Sequence, residues 1–137
     1  MIKQLIKYLF VILFILINLS HAYSKAIEVK LSSEVISSFY TYISAERKPL
    51  DKFLITKDGK GKFVWVCPQI LCFPARKNFY LKPCSVKNGS KPCVIFATNR
   101  KIKLKSKNKA LESSKHFKQG DTFEDVKAKL KDLGFID

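Results

Sequence analysis

The chain has 137 residues, 47% of them apolar and 27% charged, enough for one small globular core and not for a second domain of any size. It carries 26 Lys or Arg against 11 Asp or Glu, a net of +15, so a partner held by charge is an anion. Between Asp58 and Glu112 stand thirteen Lys or Arg and no carboxylate, and all four cysteines fall in that stretch.

Residues 1–22 have the layout of a secretory signal peptide: Lys3 and Lys7 at the positive start, an apolar run over 8–19, and Ser20-His21-Ala22 with small residues at the cleavage position. The alternative is an uncleaved anchor in the inner membrane, which wants about 20 apolar residues; this run has twelve, with Asn18 inside it. Cleavage after Ala22 leaves 24 basic and 11 acidic groups, a net of +13, on a periplasmic or secreted domain.

Ser32-Ser33 then offers an N-cap with Glu34 at the positive end of a helix, and Val35, Ile36, Phe39, Tyr40 and Ile43 recur at three- and four-residue steps until Arg47-Lys48-Pro49 closes the run. This predicts an amphipathic helix covering a sheet. Residues 53–56 are apolar, 57–61 are turn-forming and 62–67 are apolar again, a β-hairpin. In its second strand both the Phe63, Trp65, Cys67 face and the Val64, Val66 face are apolar, so both sides are expected to be covered, with Trp65 as a core anchor. Pro74 and Pro83 bracket a weak helical segment over 75–82, Asn88-Gly89 marks a turn, and 93–98 and 101 onward read as two strands joined at Asn99-Arg100.

Residues 106–120 form a basic polar linker, leaving the tail to dock loosely or swing free. The tail over 121–137 is a second amphipathic helix, with Thr122 and Asp125 as a capping box, Phe123, Val126, Leu130 and Leu133 on one face, and Gly134 and Phe135 closing the end. The expected fold is α+β: a three- to four-stranded antiparallel sheet over 31–105 with a covering N-terminal helix, stapled by disulfides, plus the C-terminal helix.

In an oxidising compartment a small core is most simply reinforced by two disulfides among Cys67, Cys72, Cys84 and Cys93. The spacing lacks the paired clasps of a zinc site and contains no redox C-x-x-C, so no metal or cofactor is expected. Pro68 turns the chain after Cys67, and Asn88-Gly89 brings the ends of 84–93 together, so the expected links are Cys67–Cys72 and Cys84–Cys93.

The run Phe53-x5-Gly59, Cys67-Pro68, Cys72, Cys84, Gly89, Lys91-x-Cys93-x-x-Phe96-Ala97, with a basic turn and another apolar strand after it, resembles a group of small exported domains of unknown function common in alphaproteobacteria. The resemblance spans about 31–104 and implies a short antiparallel sheet with a helix over it and cysteines linking a helix end to the next strand. Residues 75–82 are less helical than that group's middle helix, and Lys105 stands where an aromatic is common.

Lys101, Lys103, Lys105, Lys107 and Lys109 alternate with other residues, so an extended segment sends all five ammoniums to one face about 6.6 Å apart, with Arg100 extending the patch. Such a ladder suits repeated anions, an anionic lipid surface or an acidic polysaccharide; nucleic acid is set aside for an exported protein. Edge lysines also discourage sheet-to-sheet aggregation, and both roles stay open. No two carboxylates are placed to face each other across a cleft, and His116 falls in the polar segment, so no catalytic residue is assigned. The expected role is a non-catalytic binding or structural one at the envelope, with an unidentified protein partner first, an anion-binding module second and a hydrolase third.

Overall fold

The computed structural model describes residues 2, 4, 6, 7, 28–67, 76, 78–105 and 115–137. Of the expected signal segment, residues 2, 4, 6 and 7 are helical; the rest lies outside the described residues. Among the described residues no helix is long and apolar enough to cross a membrane.

The fold is α+β. In chain order it runs α1 (Ser33–Ser44), β1 (Lys52–Thr56), β2 (Lys62–Trp65), α2 (Asn78–Lys87), β3 (Cys93–Thr98), β4 (Lys101–Ile102) and α3 (Phe123–Asp132). The four strands form one antiparallel sheet in the order β2-β1-β3-β4. Helix α1 starts where the Ser32 side chain accepts the Val35 N–H, and α3 starts in the expected Thr122/Asp125 capping box. At the end of α3, Gly134 takes φ 83 and the Phe135 N–H bonds the Leu130 carbonyl at 2.9 Å, the expected left-handed closure.

Because strand side chains alternate, β1 divides the core. Phe53 and Ile55 point to the face covered by α1 and α3, where they join Phe39, Phe96, Phe117 and Phe135; Leu54 points to the other, where α2 supplies Tyr80 and Cys84. The β1–β3 register slips at Phe53/Leu54, and this bulge turns both Phe96 and Ala97 toward the α1 side. Gly59 closes the β1–β2 turn at φ 72, and a Cβ there would sit 2.0 Å from the Lys30 carbonyl oxygen, so the turn admits no side chain.

Several expectations change. Strand β2 is the sheet edge, so it is not covered on both sides: Val64 and Val66 are 40% and 49% exposed, while Trp65 is half-buried against Tyr80. Helix α2 runs through Pro83 and Cys84 instead of ending before them, because Tyr80, Leu81 and Cys84 pack it onto the sheet and the Asn88 amide donates to the Cys84 and Lys62 carbonyls. The segment read as a linker delivers Phe117 and Lys115 to buried positions, and Val126, Leu130 and Leu133 of α3 belong to the main core. The tail therefore does not swing free. Tyr42, absent from the expected helix face, is buried with its hydroxyl on the Asp51 carbonyl at 3.0 Å.

Cys84–Cys93 closes as expected, fastening α2 to β3. Among the described residues this is the single complete disulfide; the expected Cys67–Cys72 link involves Cys72, which lies outside them, and no described cysteine is a free thiol.

Candidate anion-binding face

The cations singled out in the sequence separate into two groups. Arg100 follows Asn99 (φ 51) in the β3–β4 turn, and its guanidinium donates from Nε to the Ile43 carbonyl at 2.8 Å and from Nη to the Ala45 carbonyl at 2.6 Å. The last carbonyls of a helix lack intrahelical partners and carry its negative end, so a forked cation satisfies both needs. Arg100 is thus a clamp on the C-terminus of α1 and does not extend the patch.

The strand that begins the ladder is short. Strand β4 has two residues, because the bulge at Phe96 leaves only Ala97 and Thr98 of β3 in register with it. Alternation persists a little further: Ile102 is buried, Leu104 packs on the same core, and the Lys103 N–H bonds the Phe96 carbonyl at 2.8 Å. Lys103 and Lys105 are exposed, and Lys107 and Lys109 lie outside the described residues.

A lysine not singled out in the sequence joins Lys101 and Lys103. The register sets Lys52 opposite Thr98 and Thr98 opposite Lys101, so the three share one sheet face, the face that α2 covers. Lys52 Nζ lies 3.5 Å from Thr98 Oγ1 and 5.3 Å from the centroid of the Tyr80 ring on α2. Burial, and then the charge of Lys103, hold the Lys52 ammonium below the usual lysine range. Lys30, Lys62, Lys91, Lys127 and Lys129 each meet a carboxylate. Among the described residues Lys52, Lys101 and Lys103 have no ion-pair partner. Lys52 escaped notice in the sequence because only the β1–β3 pairing, 46 residues apart, brings it here.

A groove of about 360 Å³ lies elsewhere, along the open edge of β2 beneath α1, with Thr41, Arg47, Lys62 and Val64 in its lining. Two of its three cations are paired, Lys62 Nζ 2.8 Å from Glu34 and Arg47 Nη 3.8 Å from Asp51, while Lys87 Nζ lies 5.9 Å from the centroid of the Phe63 ring. Asp51 itself is 1% exposed and occupied, accepting the Cys67 N–H at 2.9 Å and the Lys48 N–H at 2.8 Å. The Thr56 hydroxyl, Lys91 and the Lys60 N–H hold Asp58 well below the ordinary carboxylate range in its turn. His116 is exposed, its carbonyl accepting from Lys129 at 3.4 Å. Among the described residues no three His, Cys, Asp or Glu gather as they would around a metal ion.

Compared with known protein families, with characterised proteins and with solved structures, the chain gives no match.

Proposed function

We propose that this is an exported, non-catalytic envelope protein that binds an anionic component of the envelope through the sheet face bearing Lys52, Lys101 and Lys103. The observation that carries the reading is that three cations share a face without a described counter-charge, with Lys52 held low by burial first and by Lys103 second. Folding tolerates this repulsion without relieving it, and a phosphate, sulfate or carboxylate between the ammoniums would relieve it. The Thr98 hydroxyl and the Tyr80 ring add a hydrogen-bonding group and an aromatic wall beside the charge. Export rests on the pattern of residues 1–22, and the Cys84–Cys93 disulfide suits an oxidising compartment.

The test is binding to heparin and to vesicles containing phosphatidylglycerol, at low salt and at about 0.3 M salt, where screening shortens the reach of exposed charge to a few ångströms. The Lys52→Gln/Lys101→Gln/Lys103→Gln protein is expected to lose the salt-sensitive binding that the unaltered chain shows. Equal binding by both proteins, or binding indifferent to salt, overturns the reading.

The open edge of β2, with Val64 and Val66 exposed, favours a second reading in which a protein partner adds a strand there. A stoichiometric partner that survives high salt and is lost in Val64→Pro would support it; retention of that partner by the proline variant would exclude the edge.

A further inference from the structure

Helix α2 has an apolar face turned away from the protein. Phe79 and Val86 are 66% and 69% exposed, and Pro83 is exposed between them. At about 100° per residue these positions, spaced i, i+4 and i+7, fall within a sector of about 60°. Tyr80, Leu81 and Cys84 occupy the opposite side, against the sheet. The exposed Lys82 and Lys87 flank the stripe, and the exposed Arg76 precedes the helix. No acid lies in α2, nor anywhere from residue 59 to 111. A helix that is apolar on two sides and cationic along its flanks suits a place between a sheet and an apolar phase bordered by negative charge.

We propose that this side of the molecule docks on an anionic lipid bilayer, with Phe79, Pro83 and Val86 of α2 entering the headgroup boundary and Lys82, Lys87 and the Lys52, Lys101, Lys103 row meeting lipid phosphates. The inference rests on the anion-binding reading and names the anion as a bilayer surface. The ten residues of α2 reach about 15 Å, half the hydrocarbon thickness, so the helix lies in the interface and does not span it. Pro83 lacks the N–H that would bond the Phe79 carbonyl, and a carbonyl freed in this way keeps its hydration at headgroup depth. The stripe is held ready before contact: Cys84–Cys93 ties the helix to β3, and the Asn88 amide ties its end to β2. Single exposed apolar residues are ordinary on a surface; three on one helical stripe with cations on both sides are a patch.

The experiment uses the exported chain from Tyr23 onward, so that the apolar run over 8–19 does not itself bind the vesicles, in three forms and a local reporter. Phe79→Trp is mixed with vesicles of phosphatidylcholine alone or with phosphatidylglycerol, brominated in the acyl chains, and its emission is compared with that of the unaltered protein, whose only tryptophan is Trp65. Bromine quenching of the Phe79→Trp signal well beyond the Trp65 baseline, on the anionic vesicles and not on the neutral ones, is expected. In parallel, Phe79→Ser/Val86→Ser is expected to bind anionic vesicles on the order of tenfold more weakly while keeping its heparin affinity. Baseline quenching together with unchanged vesicle binding overturns the docking proposal and leaves the anion-binding reading standing. Quenching equal on neutral and anionic vesicles overturns the part assigned to charge, loss of heparin binding in the lysine variant with vesicle binding intact removes the Lys52, Lys101, Lys103 row from the bilayer contact, and heparin binding by the unaltered protein without any binding to anionic vesicles overturns the bilayer.

Discussion

On one face of the sheet Phe39 meets the rings of Phe53, Phe96 and Phe117 at 5.1 to 5.2 Å, with Tyr42 stacked at 6.1 Å and two helices closing over the cluster. On the other face, among the described residues, α2 reaches Leu54 through Tyr80 and Cys84, and a disulfide fixes it. The first face buries aromatic surface and pairs Lys127 with Glu124 and Lys129 with Asp121 on and beside α3. Among the described residues the second leaves Lys52, Lys101 and Lys103, and Lys82 and Lys87 on α2, without a carboxylate partner, and three apolar side chains in solvent. A domain this small has one well-filled core, and the thin side is free to carry groups that cost stability, which is where binding groups are affordable.

The largest difference between the two faces is expected at Phe39. Phe39→Ala removes a fully buried ring from edge-to-face contacts and is expected to cost about 3–5 kcal/mol, larger than Leu54→Ala on the opposite face. Urea denaturation of both variants measures the difference, and a larger loss from Leu54→Ala would reverse the assignment of the two faces.

Removing the Cys84–Cys93 bridge with Cys84→Ala/Cys93→Ala is expected to cost roughly 2–3 kcal/mol, from the short loop it closes. The loss should be local. Hydrogen exchange is expected to speed up in α2 while β1, β3 and α1 stay protected, since their burial lies on the other side. Uniform acceleration across the sheet would show that the thin side also supports the core.

Arg100 has the charge of the lysine-bearing face, but its contacts place it on the aromatic one. Arg100→Met leaves the Ile43 and Ala45 carbonyls without their donor and is expected to cost about 1–2 kcal/mol while leaving heparin binding unchanged. Arg100→Lys recovers only part of the stability, since an ammonium cannot reproduce the fork. A loss of heparin affinity with stability intact would return Arg100 to the patch.

What could be read from the sequence follows from how local each signal is. The N-caps of α1 and α3, the Gly134 closure and the two hairpin turns are settled within a few residues and stand as read, whereas α1 ends at Ser44, ahead of the expected Arg47-Lys48-Pro49. Helix α2 was faint because Phe79, Pro83 and Val86 make its outer face as apolar as its inner one, which erases the helical period that marks an ordinary surface helix. Arg100 looked like a surface cation because the carbonyls it clamps are 55 and 57 residues away. Phe117 was one aromatic in a polar run, with nothing nearby to reveal that its partner is Phe39. The row of lysines depends on strand order, which no local signal around Lys52 carries.

The smallest effect separates the faces by pH. Burial and Lys103 put the folded-state value of Lys52 below its unfolded one, near 10.4, so the folded protein holds the charged form at a cost throughout neutral pH. That cost is relieved as pH rises through the depressed value, and Lys52→Gln is therefore expected to give a small rise in Tm at pH 7 that shrinks to nothing above about pH 10. Tyr42, on the core face, has the opposite sense: burial pushes its hydroxyl above the ordinary value, so the stability it contributes is present below about pH 10 and lost as the unfolded phenol ionises. Both proteins share that loss, and the difference between their thermal curves isolates the lysine. At the acid end the Thr122 hydroxyl and N–H hold Asp125 below the usual carboxylate range, so its contribution is complete above about pH 4 and falls away as pH drops through the depressed value. Asp125→Asn should flatten only that limb. If Lys52→Gln instead lowered Tm at pH 7, the ammonium would be stabilising the fold through Thr98 and Tyr80, and the repulsion that points to an anion on this face would be absent.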